Sequence, residues 1–250
     1  GFVEITLLGQ NVNSYKYEDH TFDYLLKEIA EISGVQRLRY TSPHPQDMTD
    51  EVLYMMSNYD NICNAVHFPL QAGSSRVLKR MNRTYTKNHF IKRAHRIREI
   101  LPNCGLSSDI IVGFPGETDS EFEETLEVMR EVKFDSAFTF KYSPRLGTKA
   151  FEYSDQLSEQ DKQKRLDKVI TLQKNHTLFR NKEMIGRVVS VLVEKNSKRS
   201  IDQWAGRTDS NKWVIFDKEN ANIKEIVDVL ITDAKGISLH GHLVKKKEAA

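Results

Sequence analysis

Through the first 142 residues, short apolar runs rich in β-branched side chains alternate with stretches whose apolar residues recur at helical spacing. The apolar runs predict strands over Phe2 to Leu8, Val35 to Thr41, Ala65 to Leu70, Leu106 to Val112 and Ser136 to Tyr142. Between them, Phe22, Leu25, Leu26, Ile29 and Ile32 mark the apolar face of one helix. Thr118 and Glu121 form a capping box ahead of Phe122, Leu126 and Met129 in another. Strand and helix in strict alternation imply a parallel sheet with right-handed crossovers, either doubly wound or rolled toward a barrel. The barrel is the expected form. Each strand runs out into turn-forming or polar residues, such as Gly9-Gln10-Asn11, Ser42-Pro43-His44, Gln71-Ala72-Gly73, Gly113-Phe114-Pro115-Gly116 and Ser143-Pro144-Arg145. In a parallel barrel those ends share the face that carries the chemistry.

A capping box at Ser158 and Asp161 opens a long helical stretch through Leu166, Val169, Ile170 and Leu172 to about Met184, the pattern of a connector. The period then changes. Short β-rich runs at Gly186 to Glu194, Trp204 to Thr208, Lys212 to Phe216, Ile226 to Thr232 and Ile237 to Leu243 are separated by turn residues, which predicts a small all-β barrel. The expected division is 1–157, 158–184 and 185–246. A strand opening at residue 2, with no cap before it, is expected to continue a fold begun upstream.

Composition narrows the partners. Residues 184–250 hold 12 Lys and Arg against 9 Asp and Glu, so the basic excess of a chain with net charge +2 lies at the C-terminal end. No apolar run approaches membrane-spanning length, and the expectation is a cytoplasmic monomer with neither membrane nor DNA as partner. The only cysteines, Cys63 and Cys104, are far apart and outside any C-x-x-C spacing, so no metal site is expected from this chain's own thiols.

The phrases Thr6 to Tyr15 (TLLGQNVNSY), Tyr40 to Pro45 (YTSPHP), His67 to Ser74 (HFPLQAGS), Leu78 to Arg83 (LKRMNR) and Asp109 to Thr118 (DIIVGFPGET) resemble the tRNA methylthiotransferases of the radical S-adenosylmethionine family. Gly206 to Asp209 and Val214 to Phe216 resemble the TRAM domain that closes those enzymes. The resemblance implies a partial radical-SAM (β/α) barrel followed by a small all-β TRAM barrel, S-adenosylmethionine as cofactor and two 4Fe–4S clusters in a full-length enzyme. It also implies the anticodon stem-loop of tRNA as partner. The adenosine beside the anticodon, already isopentenylated, would be the target, and hydrogen abstraction followed by methylthio delivery the reaction. The family's C-x-x-x-C-x-x-C loop and its further cluster cysteines are not in this sequence, so the chain is expected to be an inactive C-terminal part. A non-catalytic RNA-binding protein on a barrel scaffold is the rival reading.

By the same resemblance, Gly9, Gln10 and Asn11 after the first strand, Ser42 and His44 after the second, Gln71, Asp109, Gly113 and Arg145 are the expected S-adenosylmethionine contacts. Several keep a plainer alternative: Gly9 as a turn glycine, His44 as a rigid loop histidine between two prolines, Arg145 as a solvated side chain. Asp109 on an inward-facing strand needs a cationic partner, and Arg145 is the candidate. Glu117, just before a helix start, is expected to serve the helix dipole. Arg80 and Arg83, with Lys79, Lys87, Lys92, Arg93 and Arg96, form either a phosphate-reading surface or a solvated helix face. In the β-module, Arg187, Lys195, Lys198, Arg199, Arg207 and Lys212 interleave with Trp204, Trp213 and Phe216, the mixture that grips phosphates and stacks on bases. Alternation buries either Trp213 and Ile215 or Val214 and Phe216.

Overall fold

The computed structural model describes residues 1–244; the Lys245-Lys246-Lys247 tail and the last two residues of the expected β-module lie outside the described residues. Five parallel strands follow one another in chain order. β1 (Glu4–Leu7) is followed by a small hairpin, β2 (Lys16–Tyr17) and β3 (His20–Thr21), then by α1 (Phe22–Ala30) and β4 (Arg37–Tyr40). Next come α2 (Asp50–Asn58), β5 (Ala65–His67), α3 (Ser75–Arg80), α4 (Lys87–Ile100), β6 (Gly105–Val112), α5 (Asp119–Val132) and β7 (Ser136–Lys141). β1 pairs with β4, and β5, β6 and β7 form a second parallel sheet. Leu38 joins the two, since its N–H donates to Asn61 and its carbonyl accepts from Cys63 just ahead of β5. Strand order therefore equals chain order with no reversal, the winding of a barrel arc and not of a doubly wound sheet.

The outer face of the arc is sealed by helices. Along β6, Ser108, Ile110 and Val112 are buried under them, while Ser107, Asp109 and Ile111 face inward and stay partly accessible. Phe22, Leu26, Leu38, Leu53, Phe68, Phe90, Ile97, Leu106 and Phe134 form the core between strands and helices. α5 starts with the expected capping box, Thr118 accepting from the Glu121 N–H while Glu121 accepts from the Thr118 N–H. The strand predicted to reach Leu70 ends at His67, because Pro69 has no N–H for the ladder; Gln71 rejoins β6 beside Ile110. The β2–β3 hairpin was not predicted, being only two residues a side.

α6 (Glu159–Lys182) is the connector, but its buried face is mostly polar: Lys162, Arg165, Gln173, His176, Thr177 and Asn181 are buried with Val169. β8 (Val188–Asn196), β9 (Gln203–Thr208), β10 (Trp213–Asp217), β11 (Ile226–Lys235) and β12 (Ser238–Leu243) then close a barrel in the order β10-β12-β11-β8-β9. Val191, Val193, Val214, Phe216, Val229, Ile231 and Leu239 fill it. Alternation on β10 thus turns Val214 and Phe216 inward and leaves Trp213 outside.

The small barrel is docked on the base of the arc. Arg37 donates to the Arg207 and Ser190 carbonyls at 2.8 and 2.9 Å, and Arg39 to those of Asp209 and Thr208 at 3.1 and 3.3 Å. Gly105 opens β6 so close to Ser210 that a Cβ would overlap the Ser210 carbonyl. Beside it Lys212 Nζ lies 2.6 Å from Asp135 Oδ1 and 3.1 Å from Asn181 Oδ1. Lys212, expected on the RNA face, is thereby corrected: its ammonium is sealed in the domain junction.

Candidate ligand cleft and nucleic-acid interface

Two loops at the C-terminal ends of β1 and β4 are stitched together. The Asn13 amide donates to the His44 carbonyl and its oxygen accepts from the His44 N–H, at 3.1 and 2.7 Å. Asn11 Nδ2 donates to Asp47 at 2.6 Å, which leaves Asn11 Oδ1 buried and without a partner among the described residues. Gly9 and Gln10 are exposed on the approach to this loop. Ser42 turns with φ of 57°, placing its hydroxyl at the surface. His44 Nδ1 accepts from the Gln46 N–H, and its ring stands edge-on to Tyr85 at 5.8 Å. The histidine is therefore fixed by one ring nitrogen while the other stays available. Gln71 (φ 65°) is buried; its N–H donates to the Asp109 carbonyl and its carbonyl accepts from the Ile111 N–H.

The structure reassigns two charged residues. Asp109 does not pair with Arg145; its partner is His67, whose Nε2 lies 3.2 Å from Asp109 Oδ2 while Nδ1 lies 3.0 Å from Ser107 Oγ. Arg145 is exposed in the loop after β7, where, among the described residues, its backbone carbonyl alone is engaged, accepting from Thr148. Glu117 does not serve the dipole of α5. Its carboxylate is buried, accepting from the Gly113 N–H and from Arg165 of α6, both at 2.7 Å. Burial pushes its pKa up, and those two donors only partly offset the rise. Gly113 itself has φ of 72° and lies against the Lys162 stem, so this position needs glycine to hold the β6 end against the connector.

Below the loops, the inner faces of β4 to β7, the connector and the 210–213 turn of the small barrel enclose a recess of about 670 Å³. His67, Ser107, Phe138 and Trp213 are among its walls. His67 and Ser107 were not singled out from the sequence, since each follows ordinary strand alternation and only the β5–β6 register, His67 opposite Ser107, brings them together.

An iron-sulfur cluster asks for several exposed thiolates. Cys63 and Cys104 are both buried, and burial pushes their thiols up to about 11 and about 12, so neither fits as a cluster ligand. Anaerobic reconstitution of the chain is expected to leave it colourless and free of stoichiometric iron. A reproducible charge-transfer band with bound iron would show that these thiols have been misread.

Most of the basic residues on the helices are already matched. Arg80 donates to both Asp155 oxygens and lies over the Tyr153 ring, Lys87 meets Glu124 and Glu127, and Arg93 and Arg96 share Asp50. Arg83 stays exposed at the turn between α3 and α4. On the small barrel Lys195 and Arg207 lie over the Trp213 ring, at 4.4 and 5.5 Å from its centroid, and Arg207 also pairs with Glu194. Trp204 donates its indole N–H to the Ala221 carbonyl and carries Lys218 on its ring. Arg187 is exposed, its side chain donating to Asn103, and Lys195 and Arg199 are exposed too.

Against known proteins, the model of the radical SAM superfamily matches residues 1–129 and that of the TRAM domain residues 182–244. The chain is 46% identical over 249 residues to a Porphyromonas gingivalis protein named tRNA-2-methylthio-N(6)-dimethylallyladenosine synthase, covering 98% of this chain and 54% of the relative. A protein of the same name from Thermoanaerobacter sp. is 43% identical over 248 residues, covering 98% and 53%. The chain thus spans about half the length of the relatives it matches. The solved coproporphyrinogen III oxidase of Escherichia coli, described as a radical SAM enzyme, superposes at a TM-score of 0.48 and 16% identity, over 74% of this chain and 50% of its own. No described helix is long and apolar enough to cross a membrane. With more than half of its residues matched by that superfamily and its closing barrel by TRAM, the chain belongs to the radical SAM superfamily and ends in a TRAM domain.

Proposed function

We propose that this chain is the C-terminal part of a tRNA methylthiotransferase that modifies the N6-dimethylallylated adenosine beside the anticodon. The carrying observation is the similarity, across 98% of the chain, to proteins named for that product. In this reading residues 1–157 are the cofactor arc, 158–184 the connector and 185–246 the RNA grip, working as a cytoplasmic monomer on the anticodon stem-loop.

The loops after β1 and β4 would hold S-adenosylmethionine. The buried, unpartnered Asn11 Oδ1 is a ready acceptor for its amine, and Ser42, His44 and the backbone at Gly9, Gln10 and Gln71 offer neutral hydrogen bonds to the rest. Bound S-adenosylmethionine would supply the adenosyl group that accepts hydrogen from the substrate. Cys63 and Cys104 do not fit an iron-sulfur cluster, so no step of that chemistry is assigned to residues of this chain.

The RNA grip makes a sharp prediction, because geometry and charge counting disagree about Lys212. Binding of an anticodon stem-loop should weaken steeply with salt through counterion release. Lys195→Ala and Arg199→Ala, at exposed cations, should each flatten the slope by about 0.7 to 0.9 if each meets one phosphate. Lys212→Met should leave the slope of the folded protein unchanged. Filter binding across a salt series reads all three. Parallel lines for Lys195→Ala and Arg199→Ala, without loss of affinity, would remove the RNA role of this face.

A further inference from the structure

The recess below the loops has a lower part at the N-terminal ends of the strands, where Ala65, Gly105 and Ser136 open β5, β6 and β7. One wall is helical. Ile170, Lys174, Thr177 and Asn181 recur at i, i+4, i+7 and i+11, a single stripe of α6, and all four line it. The facing wall belongs to the small barrel: Trp213 on β10, and Ile237, which precedes the Ser238 that pairs with Trp213. Ile237 is 72% exposed, an apolar lip beside an indole. The indole serves two surfaces, since Lys195 and Arg207 lie over the ring and hold it in place while the ring is also part of the recess wall.

Gln173, beside the stripe and in the same wall, carries an acceptor that the fold does not use. Its Nε2 donates to the Phe134 carbonyl at 2.9 Å and to Thr177 Oγ1 at 3.0 Å, and Thr177 gives its own proton to the Asp135 carbonyl at 2.9 Å. The amide is therefore held in one orientation, and Oε1 is left buried and without a partner among the described residues. Such an acceptor is destabilising until a donor reaches it. Lys174, one residue on, is exposed at the mouth.

Resting on the RNA-binding reading above, we infer that this junction cleft is a subsite for one unpaired nucleotide of the bound RNA: the base stacks on Trp213 beside Ile237, an exocyclic amine donates to Gln173 Oε1, and Lys174 meets the phosphate. Adenine, cytosine and guanine carry such an amine and uracil does not, so the cleft selects amino bases. Stacking alone is tolerant of sequence, because every base has a π-face; the selection comes from the acceptor. The cleft lies at the opposite ends of the strands from the loops after β1 and β4. It also gives the polar face of α6 a role beyond joining two domains, since the site exists only where the connector and the small barrel meet.

Tryptophan fluorescence of the 250-residue chain, titrated with trinucleotides, tests this. Triadenylate should quench the emission, and Trp213→Leu should remove the quench and weaken binding by about fivefold or more, with Trp204 remaining as the internal reference. A trinucleotide of purine riboside, which differs only in lacking the amine, should bind roughly tenfold more weakly than triadenylate. Gln173→Met should erase that difference, and Lys174→Ala should flatten the salt dependence by about 0.7. Trp213 and Lys174 stand at the surface, so both variants should keep the parent melting curve; if Gln173→Met does not, the comparison of the two trinucleotides decides in its place. No quench, a quench that survives Trp213→Leu, or equal affinity for the two trinucleotides overturns the inference. So does displacement of triadenylate by S-adenosylmethionine, which would give the cleft to the cofactor, or filling by adenosine monophosphate that an anticodon stem-loop neither reproduces nor blocks, which would give it to a free nucleotide. Parallel lines in the stem-loop salt series strike the face of Lys195 and Arg199 and leave these titrations to stand or fall separately.

Discussion

Asp135→Ala should lower the unfolding free energy by about 3–5 kcal/mol, because it strands buried positive charge at the junction of the two domains. Asp135 sits just ahead of β7 among Lys212 at 2.6 Å, Arg98 at 3.3 Å and Arg180 at 3.5 Å, of which Arg180 also pairs with Glu183; Asp135 accepts from the Leu106 N–H at 2.9 Å as well. Burial alone would raise its carboxyl, yet Lys212 and Arg180 override that and leave it below the ordinary aspartate value. With the folded value depressed, the stability it contributes is present above the unfolded value and disappears as pH falls through the folded one. Asp135→Asn keeps the shape and removes the charge, so it should reproduce most of the loss at neutral pH. It should also match the parent in acid. Urea denaturation of parent and both variants at neutral and acidic pH decides. A loss under about 1 kcal/mol at neutral pH would mean that water reaches the cations and the junction is not sealed.

Arg165→Met should be comparably damaging at neutral pH and, like the Asp135 variants, nearly silent in acid, although Glu117 itself titrates in the opposite sense to Asp135. Arg165 bridges the connector to the β6 end, and its removal leaves the Glu117 carboxylate buried with the Gly113 N–H as its remaining donor, at a cost of about 3 kcal/mol or more. Its second pair, with the fully exposed Asp119, contributes little. Glu117 already has a folded value above the ordinary one, chiefly from burial, so its share of stability is complete below the unfolded value and is lost as pH rises through the folded value. Taking away Arg165 raises the folded value further. The variant should therefore melt close to the parent in acid, where Glu117 is protonated, and far below it at neutral pH. Thermal melts across that range test it; a pH-independent difference would point instead to loss of the Arg165 guanidinium from the face of the Phe122 ring.

Much of the fold was written in local pattern. Alternating strand and helix periods led to the parallel arc, Thr118 and Glu121 gave the α5 cap, and the short β-rich runs after Met184 became the closed barrel, each because the signal lies within a few residues of its structural effect. The recognisable phrases did the same for the family. What the sequence could not settle was the fate of individual charges. Asp109 finds His67 across 42 residues, Glu117 finds Arg165 across 48 and Asp135 finds Lys212 across 77, and nothing in local spacing prefers those partners to Arg145, a helix dipole or an RNA phosphate. Only strand register and domain docking bring them within hydrogen-bond reach, and a buried charge then takes the partner the chain delivers. The same holds for Trp213, whose side of the strand was undecidable from alternation until barrel closure assigned the interior to Val214 and Phe216.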